Sequence, residues 1–211
     1  AESIVKTLVE AGYEAYYAGG WVRDYLLKRS CDDIDIATGA TPEVIQSIFQ
    51  KTVPVGLQFG VVLVVIGDDS FEVTTFRNDG AYTDGRKPDS ITYSSAKEDA
   101  LRRDFTINGL FYDPIKGEIL DYVEGRKDIK DRRIRAIGSV KERFQEDKLR
   151  LIRAIRFSCR LDFSIEKETR QAIIEQASTL LPAVSMERIW QEFQKMRGAT
   201  FVEIGRASCR E

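Results

Sequence analysis

Apolar positions recur at helical spacing from the first residues. Ile4, Leu8 and Val9 share one face of residues 2–11 and predict an amphipathic helix. Tyr16-Tyr17-Ala18 is a short apolar run of strand type, closed by Gly19-Gly20. Val22 to Leu27 returns to helical spacing, and Asp33–Ile36 predicts the next strand. Ala40-Thr41-Pro42-Glu43 opens a helix running to about Phe49, with Thr41 as cap and Pro42 in the first turn. Val53 and Val55 mark a short strand. Phe59 to Ile66 is a continuous β-branched run, the signature of a buried strand. A turn at Gly67-Asp68-Asp69-Ser70 leads to a returning strand over Phe71–Phe76.

Residues 77–95 break this pattern. Arg77, Asn78, Asp79, Gly80, Asp84, Gly85, Arg86, Lys87 and Pro88 are polar or turn-forming, which predicts a long loop of functional type. A helix then carries Glu98–Leu101 into Arg102-Arg103-Asp104-Phe105-Thr106-Ile107-Asn108. Leu110–Tyr112 and Ile119–Asp121 flank the Lys116-Gly117 turn as a hairpin. From about Ser139 the periodicity is helical, with helices over Phe144–Cys159, 166–177 and 185–196. The pattern therefore predicts an α/β (α+β) domain over 1–138 and an all-helical domain over 139–197, without internal repeats.

Composition bounds the chemistry. The chain has 211 residues, 43% hydrophobic and 31% charged, an ordinary globular balance with enough apolar content for a core. Its formal net charge is −2, so a nucleic-acid site must be a local basic patch. The three cysteines, Cys31, Cys159 and Cys209, have neither pairing nor metal-ligand spacing, which favours a reducing, cytoplasmic setting. There is no histidine, and this excludes Ser-His-Asp, Cys-His and His-ligated metal mechanisms within the chain. No apolar run reaches membrane-spanning length, and no signal-peptide pattern is evident. The first residue is alanine, and a trimmed start is expected.

Two features carry candidate chemistry near the start. Two glycines after a strand let the backbone turn sharply and approach a ligand closely. A helix beginning there would present N–H groups to a phosphate. Asp33 and Asp35 are two apart in a strand context, so their carboxylates point the same way. Like charges so placed repel, and a divalent cation relieves them. Taken singly, Gly-Gly is most often only a turn and Asp-x-Asp only a solvated edge. Together they describe a triphosphate cradle beside a metal site. Glu72 on the returning strand is a further candidate ligand, weighed against an outward-facing acid.

Two later features suit a nucleotide. Arg102, Arg103, Asp104 and Asn108 place guanidinia, a carboxylate and an amide within two turns, and arginine matches phosphate by its planar fork. The bland alternative is a surface charge cluster. Glu146, Asp147, Arg150, Arg153 and Arg156 recur at about every third residue of one predicted helix, with Leu149, Ile152 and Ile155 one position before each arginine. Such steps draw one slanted polar stripe beside an apolar one. An acceptor on Asp147 next to donors on Arg150 matches cytosine and adenine, which both offer an amino donor beside a ring acceptor. Guanine and uracil present the reverse polarity and would leave buried groups unpaired. A salt-bridged structural helix is the alternative.

Gly19-Gly20-Trp21-Val22-Arg23-Asp24 with Asp33-Ile34-Asp35, Arg102 to Asn108, and Glu146 to Arg150 with Arg153 and Arg156 resemble the ordered motifs of bacterial-type (class II) tRNA nucleotidyltransferases. These are the CCA-adding enzymes, relatives of bacterial poly(A) polymerases. Asp121–Asp128 and Ser185-Met186-Glu187-Arg188 also resemble linking and neck motifs of the family, and the likeness covers residues 1–197. The resemblance implies a polymerase-β-type nucleotidyltransferase head with a mixed sheet and flanking helices, then a helical neck. It implies Mg²⁺ on catalytic Asp33 and Asp35. Gly19, Gly20 and Arg23 would form the triphosphate cradle, Arg103 would contact the nucleotide, and Asp104 would lie near the ribose beside Asn108. Asp147 and Arg150 would read the base, with Arg153 and Arg156 near the phosphates. The loop with Tyr82, Asp84, Arg86 and Pro88 resembles one needed for the switch to ATP. The implied substrates are CTP, ATP and the tRNA 3′ end.

The chain departs from the family at two places. Gly109 stands where alanine is commoner, and Gly198–Glu211 does not resemble the expected continuation, so Phe201–Glu211 reads as a foreign or frame-shifted tail. An A-adding nucleotidyltransferase, a poly(A) polymerase and a nucleotide- or RNA-binding module without activity remain as alternatives.

Overall fold

The computed structural model describes residues 1–31, 33–80 and 90–196. The chain forms two compact units, one over 1–80, 90–103 and 107–125, the other including 104–106 and 126–196. Residues 126–138, read in sequence with the first domain, group with the second unit. So does the short stretch at 104–106, which interrupts the first.

The first unit is built on a seven-stranded sheet. Its elements are α1 (Glu2–Glu10), β1 (Ala15–Ala18), α2 (Gly20–Leu26), β2 (Asp35–Thr38), α3 (Pro42–Ile48), β3 (Thr52–Gly56), β4 (Val61–Ile66), β5 (Asp69–Thr75), β6 (Arg77–Asp79), β7 (Ile91–Tyr93), α4 (Ala96–Arg102), β8 (Leu110–Asp113) and β9 (Glu118–Asp121). The strand order is β3-β4-β5-β2-β1-β8-β9. The β2–β5 pair is parallel and the other pairs of this sheet are antiparallel, so the sheet is mixed. Alternation along β1 sends its two tyrosines to opposite faces. Tyr16 meets Phe76 and Phe111 at 6.1 and 6.2 Å between ring centres. Tyr17 meets Trp21 edge-on at 4.9 Å, which seats α2 on the sheet. α1 buries Ile4, Val5 and Leu8 on the face predicted, with Val9, one turn beyond Val5, left exposed near the helix end.

Capping explains where the helices begin. Thr41 accepts from the Val44 N–H with Pro42 in the first turn, as the sequence suggests. Ser95 and Glu98 form a reciprocal capping box that starts α4. The expected 77–95 loop is corrected at its two ends. β6 and β7 pair antiparallel, with Arg77 opposite Tyr93 and Asp79 opposite Ile91. Tyr82, Asp84, Arg86 and Pro88 lie outside the described residues, as do Gly198–Glu211.

The second unit contains α5 (Gly125–Lys130), β10 (Arg133–Ile134), α6 (Val140–Glu146), α7 (Leu149–Leu161), β11 (Ser164–Ile165), α8 (Lys167–Gln176), α9 (Leu180–Ala183) and α10 (Met186–Gln194). It is not all-helical, because β10 and β11 form a short parallel pair. Its core includes Phe105 against Phe157 at 5.8 Å between ring centres. A second cluster joins Leu149, Ile152, Val184, Ile189 and Met196. The linking residues have a structural use here. Asp128, 1% exposed, accepts from the Thr106 hydroxyl at 2.6 Å and from Arg135 Nε at 2.7 Å. The single helix expected over 144–159 is two. Asp147 is extended, with φ −140 and ψ 106, and separates α6 from α7. Among the described residues no helix is long and apolar enough to cross a membrane.

Candidate functional site

The chain turns at the end of β1 as the glycines demand. Gly19 caps α2 with φ 65 and ψ −125, a conformation that L side chains rarely adopt. A Cβ there would also lie 3.1 Å from Arg103 Nη1, so the close approach of Arg103 depends on this glycine. Gly19 N–H is taken by the Leu110 carbonyl at 3.2 Å, which ties the turn to β8. Gly20 begins the helix above Arg23, whose Nη2 a Cβ at position 20 would face at 3.6 Å. Arg23 is buried. It grips Asp24 with Nε and Nη2 at 2.9 and 2.8 Å and donates Nη1 to Asn108 Oδ1 at 2.8 Å. The guanidinium expected to meet a triphosphate is thus held in a carboxylate and amide frame, and Asp24 offsets its charge.

Asp35 opens β2 at the edge of a cleft of about 210 Å³, whose walls include Glu72, Thr74, Arg77, Arg102 and Arg103. The parallel register explains Glu72. Ile36 pairs with Val73, so one step earlier brings Asp35 beside Glu72. Asp35 is pushed up to about 6 by partial burial, then by Glu72 and by Asp33, with Arg103 opposing. Glu72 is likewise raised by burial and by Asp33, with Arg77 opposing. Asp33 itself is exposed, just before the strand. Three acids thus repel across one cleft mouth, and two arginines answer only part of their charge.

A hard divalent cation fits this donor set. The groups are carboxylate oxygens, with no histidine in the chain, and a cation would reverse the repulsion. Among the described residues no three His, Cys, Asp or Glu side chains converge into a metal cage. Glu72 is therefore a charge neighbour of Asp33 and Asp35, not the third wall of a preformed cage. A cation held by one or two carboxylates takes its remaining ligands from water and from phosphate oxygens.

Arg103 is set in this cleft by Asp99, which the residue pattern alone does not single out. Asp99 Oδ2 accepts from Arg103 Nε at 3.1 Å and Nη2 at 2.9 Å. The Arg103 guanidinium also lies over the Phe111 ring at 5.0 Å. An acid three and four residues ahead of two arginines on one helix was the available signal.

The remaining predicted residues belong to the second unit, where each has found a partner. Asp104 accepts from Arg153 Nε and Nη2 on one oxygen, at 2.8 and 2.5 Å, and from the Phe105 N–H on the other. Burial works against the Arg153 charge, but Asp104, with Glu192 and Asp147, raises its pKa overall. Arg156 lies 4.3 Å from the centre of the Phe157 ring and pairs with Glu192 at 3.0 Å. Burial, then Arg153, draw it down to about 10, with Glu192 opposing. Glu192 is 3% exposed and was not singled out in sequence. Its signal is an acid three residues after Ile189 and four before Met196, in an otherwise apolar stripe.

Asp147 and Arg150 do not form one continuous stripe. Asp147 Oδ1 accepts from the Leu149 N–H at 3.0 Å and so starts α7, while Oδ2 faces Arg188 at 3.6 Å. Arg150 is buried and donates Nη1 to the Arg143 carbonyl at 2.7 Å and to Glu146 at 2.5 Å. The two are joined through the backbone, Arg150 N–H to Asp147 carbonyl at 3.1 Å.

The chain is similar to known proteins over most of its length. The family described as "Poly A polymerase head domain" matches residues 15–135. "Probable RNA and SrmB-binding site of polymerase A" matches residues 162–196. The CCA-adding enzyme of Lactobacillus delbrueckii subsp. bulgaricus is 48% identical over 197 residues, covering 93% of this chain and 49% of that protein. The crystal structure of the Bacillus stearothermophilus CCA-adding enzyme in complex with CTP superposes with a TM-score of 0.86 at 43% identity, covering 95% of this chain and 48% of that one. The Thermotoga maritima CCA-adding enzyme complexed with tRNA matches with a TM-score of 0.79 at 26% identity, over 99% of this chain and 49% of that one. The chain spans about half the length of the curated relatives it matches.

Proposed function

We propose a function on the footing that this chain belongs to the poly A polymerase head-domain family: it transfers CMP and AMP from CTP and ATP to the 3′ end of tRNA without a nucleic-acid template. The observation that carries the reading is Asp35 and Glu72 in one cleft with Arg103, near enough to Asp33 that the three acids repel one another. Such a site is built to receive positive charge and then phosphate.

Asp33 and Asp35 are the residues that hold the cation, and Mg²⁺ is the ion we assign. When bound it supplies Lewis acidity to the α-phosphate, a lowered pKa for the attacking 3′-hydroxyl and charge balance for the triphosphate. The chain's own residues supply position. Gly19 and Gly20 keep side chains off the turn where the triphosphate is received, and Arg103, whose Nη1 lies against Gly19, donates to it there. Arg23, locked onto Asp24 and Asn108, holds α2 against the segment after α4. In the second unit Asp147 accepts from the exocyclic amino group of cytosine or adenine, and Arg150 donates to the neighbouring ring nitrogen. Arg153 and Arg156 provide positive charge for phosphate, and Asp104, fixed by Arg153, accepts from a ribose hydroxyl. Three cysteines without pairing or metal-ligand spacing suit a reducing, cytoplasmic setting.

A second reading, poly(A) addition, draws on the description of the matching family. One experiment separates the two. Transcripts of tRNA ending before, within and after CC are offered with Mg²⁺ and with CTP and ATP singly and together. Addition of CC followed by one A supports the first reading. A single A added only to CC-ended transcripts identifies an A-adding enzyme, and a long A tract a poly(A) polymerase. No incorporation by folded, nucleotide-binding protein identifies a binding module.

A further inference from the structure

Asp99 is almost wholly buried, at 1% exposure, on the helix that ends in Arg102 and leads into Arg103. Its two oxygens are divided between these arginines. Oδ1 accepts from Arg102 Nε and Nη2 at 2.9 and 2.6 Å, and from the Arg77 backbone N–H at 3.3 Å. Oδ2 accepts from Arg103 Nε and Nη2 at 3.1 and 2.9 Å. A fork gripped along one edge keeps a single orientation. For Arg103 the gripped edge is Nε–Nη2, which leaves Nη1 as the donor on the glycine-turn side. Nη1 lies 3.4 Å from the Asn108 carbonyl and so close to Gly19 that a Cβ there would stand 3.1 Å away. The Arg102 arm runs elsewhere. Its Nε also reaches the Arg77 carbonyl at 2.9 Å and its Nη1 reaches Asp79 at 3.5 Å, which anchors β6. Burial works to raise the Asp99 pKa, but Arg103 and Arg102 outweigh it and hold the carboxyl below its usual range, so the acid stays charged.

We propose that Asp99 is a positioning residue for nucleotide binding, acting through Arg103: it aims Nη1 at the Gly19–Gly20 turn, where the triphosphate is received. The proposal deepens the function given above and rests on it. An amide in place of the carboxylate turns a donor toward one of the two guanidinia, and Arg103, the more exposed of the pair, swings free. The effect on nucleotide binding passes through Arg103, while the Arg102 and Arg77 contacts of the other oxygen serve β6.

The test is CTP binding to the full chain by calorimetry, in Mg²⁺ and without tRNA. Asp99→Asn and Arg103→Lys should each weaken CTP binding about tenfold, and the double variant should lose no more than about twofold beyond either single, because both remove one contact. A double variant weaker by the product of the two losses, about a hundredfold, overturns the proposal. So does an Asp99→Asn protein that binds CTP as the parent does while Arg103→Lys does not. If Arg103→Lys itself leaves binding unchanged, the nucleotide reading of the cleft falls, and this proposal with it. A measurement on the unaltered chain guards against a variant that does not fold. The Arg103 Nε–H resonance should exchange slowly with water, as a proton held by a buried carboxylate does, and fast exchange there overturns the proposal.

Discussion

The acids at the mouth of the first unit's cleft and the charges of the second unit obey opposite electrostatic rules. Asp33, Asp35 and Glu72 face one another with more negative charge than Arg77 and Arg103 answer, and burial first, then this repulsion, makes Asp35 and Glu72 hold their protons more tightly than usual. In the second unit each charge named has a mate: Arg153 with Asp104, Arg156 with Glu192, Arg150 with Glu146, Arg188 with Asp147. The first arrangement is incomplete without a ligand. The second is complete without one, so anything recognised there must compete with a partner already in place. The first should therefore fail in chemistry when altered, and the second in stability or selectivity.

The largest effect expected is on catalysis. Asp35→Ala should lower nucleotide transfer by more than about a thousandfold while the melting temperature holds or rises, because a repelling charge is lost. Retained activity in single-turnover assays would remove the metal assignment. Next comes Glu192→Gln, which leaves Arg156 charged and buried without its carboxylate. The loss of folding free energy should be about 3 kcal/mol by urea denaturation. A loss near zero would mean that Arg156 reaches water in solution and that the second unit is less self-contained than its ion pairs suggest.

Asp147→Ala and Arg150→Ala should cut the preference for CTP over UTP by about tenfold to a hundredfold, with metal binding unaltered. Unchanged discrimination would defeat the assignment of base choice to this pair. The smallest effect is a pH dependence. Asp35 titrates near 6 when folded against an ordinary value of 3.8, so between those values the folded chain holds more protons than the unfolded one. Its contribution to stability therefore falls as pH rises through 6. In chelator, the melting temperature relative to Asp35→Asn should drop by roughly 1–2 °C from pH 5 to pH 7, and millimolar Mg²⁺ should abolish the drop. A rise instead would contradict the repulsion.

Much of the first unit is legible in the sequence because its signals are local. Gly19-Gly20, the cap at Thr41 and the β-branched run before Ile66 each dictate their own backbone. The pairing of Arg77–Asp79 with Ile91–Tyr93 is not legible, since polar strands of three residues carry no alternation to read. Neither is the break at Asp147. Steps of three and four suit a continuous helix, and only the bond from Leu149 N–H to the Asp147 carboxylate shows the acid starting a new one. In the site, the residue types were readable and the partners were not. Nothing local says that Arg153 should find Asp104, which is 49 positions away, or that Arg156 should find Glu192. Asp99 stands in plain view three residues before Arg102, yet its burial depends on β6 and on the two arginines that close over it.

The joint between α6 and α7 has a consequence for redesign. In an unbroken helix, inserting one residue between an acid and an arginine would rotate everything beyond it by about 100°. Here Asp147 is extended backbone between two helices, so a residue added at 147–148 would break the bonds from Leu149 and Arg150 N–H to Asp147 but would be taken up by the connection, leaving α7 its seat on Val184 and Ile189. The distance between the acid and Arg150 is thus a length that an engineer can vary separately from the fold. A library with altered lengths at this one position would test whether the proposed base-reading pair sets base preference, at little cost to the core.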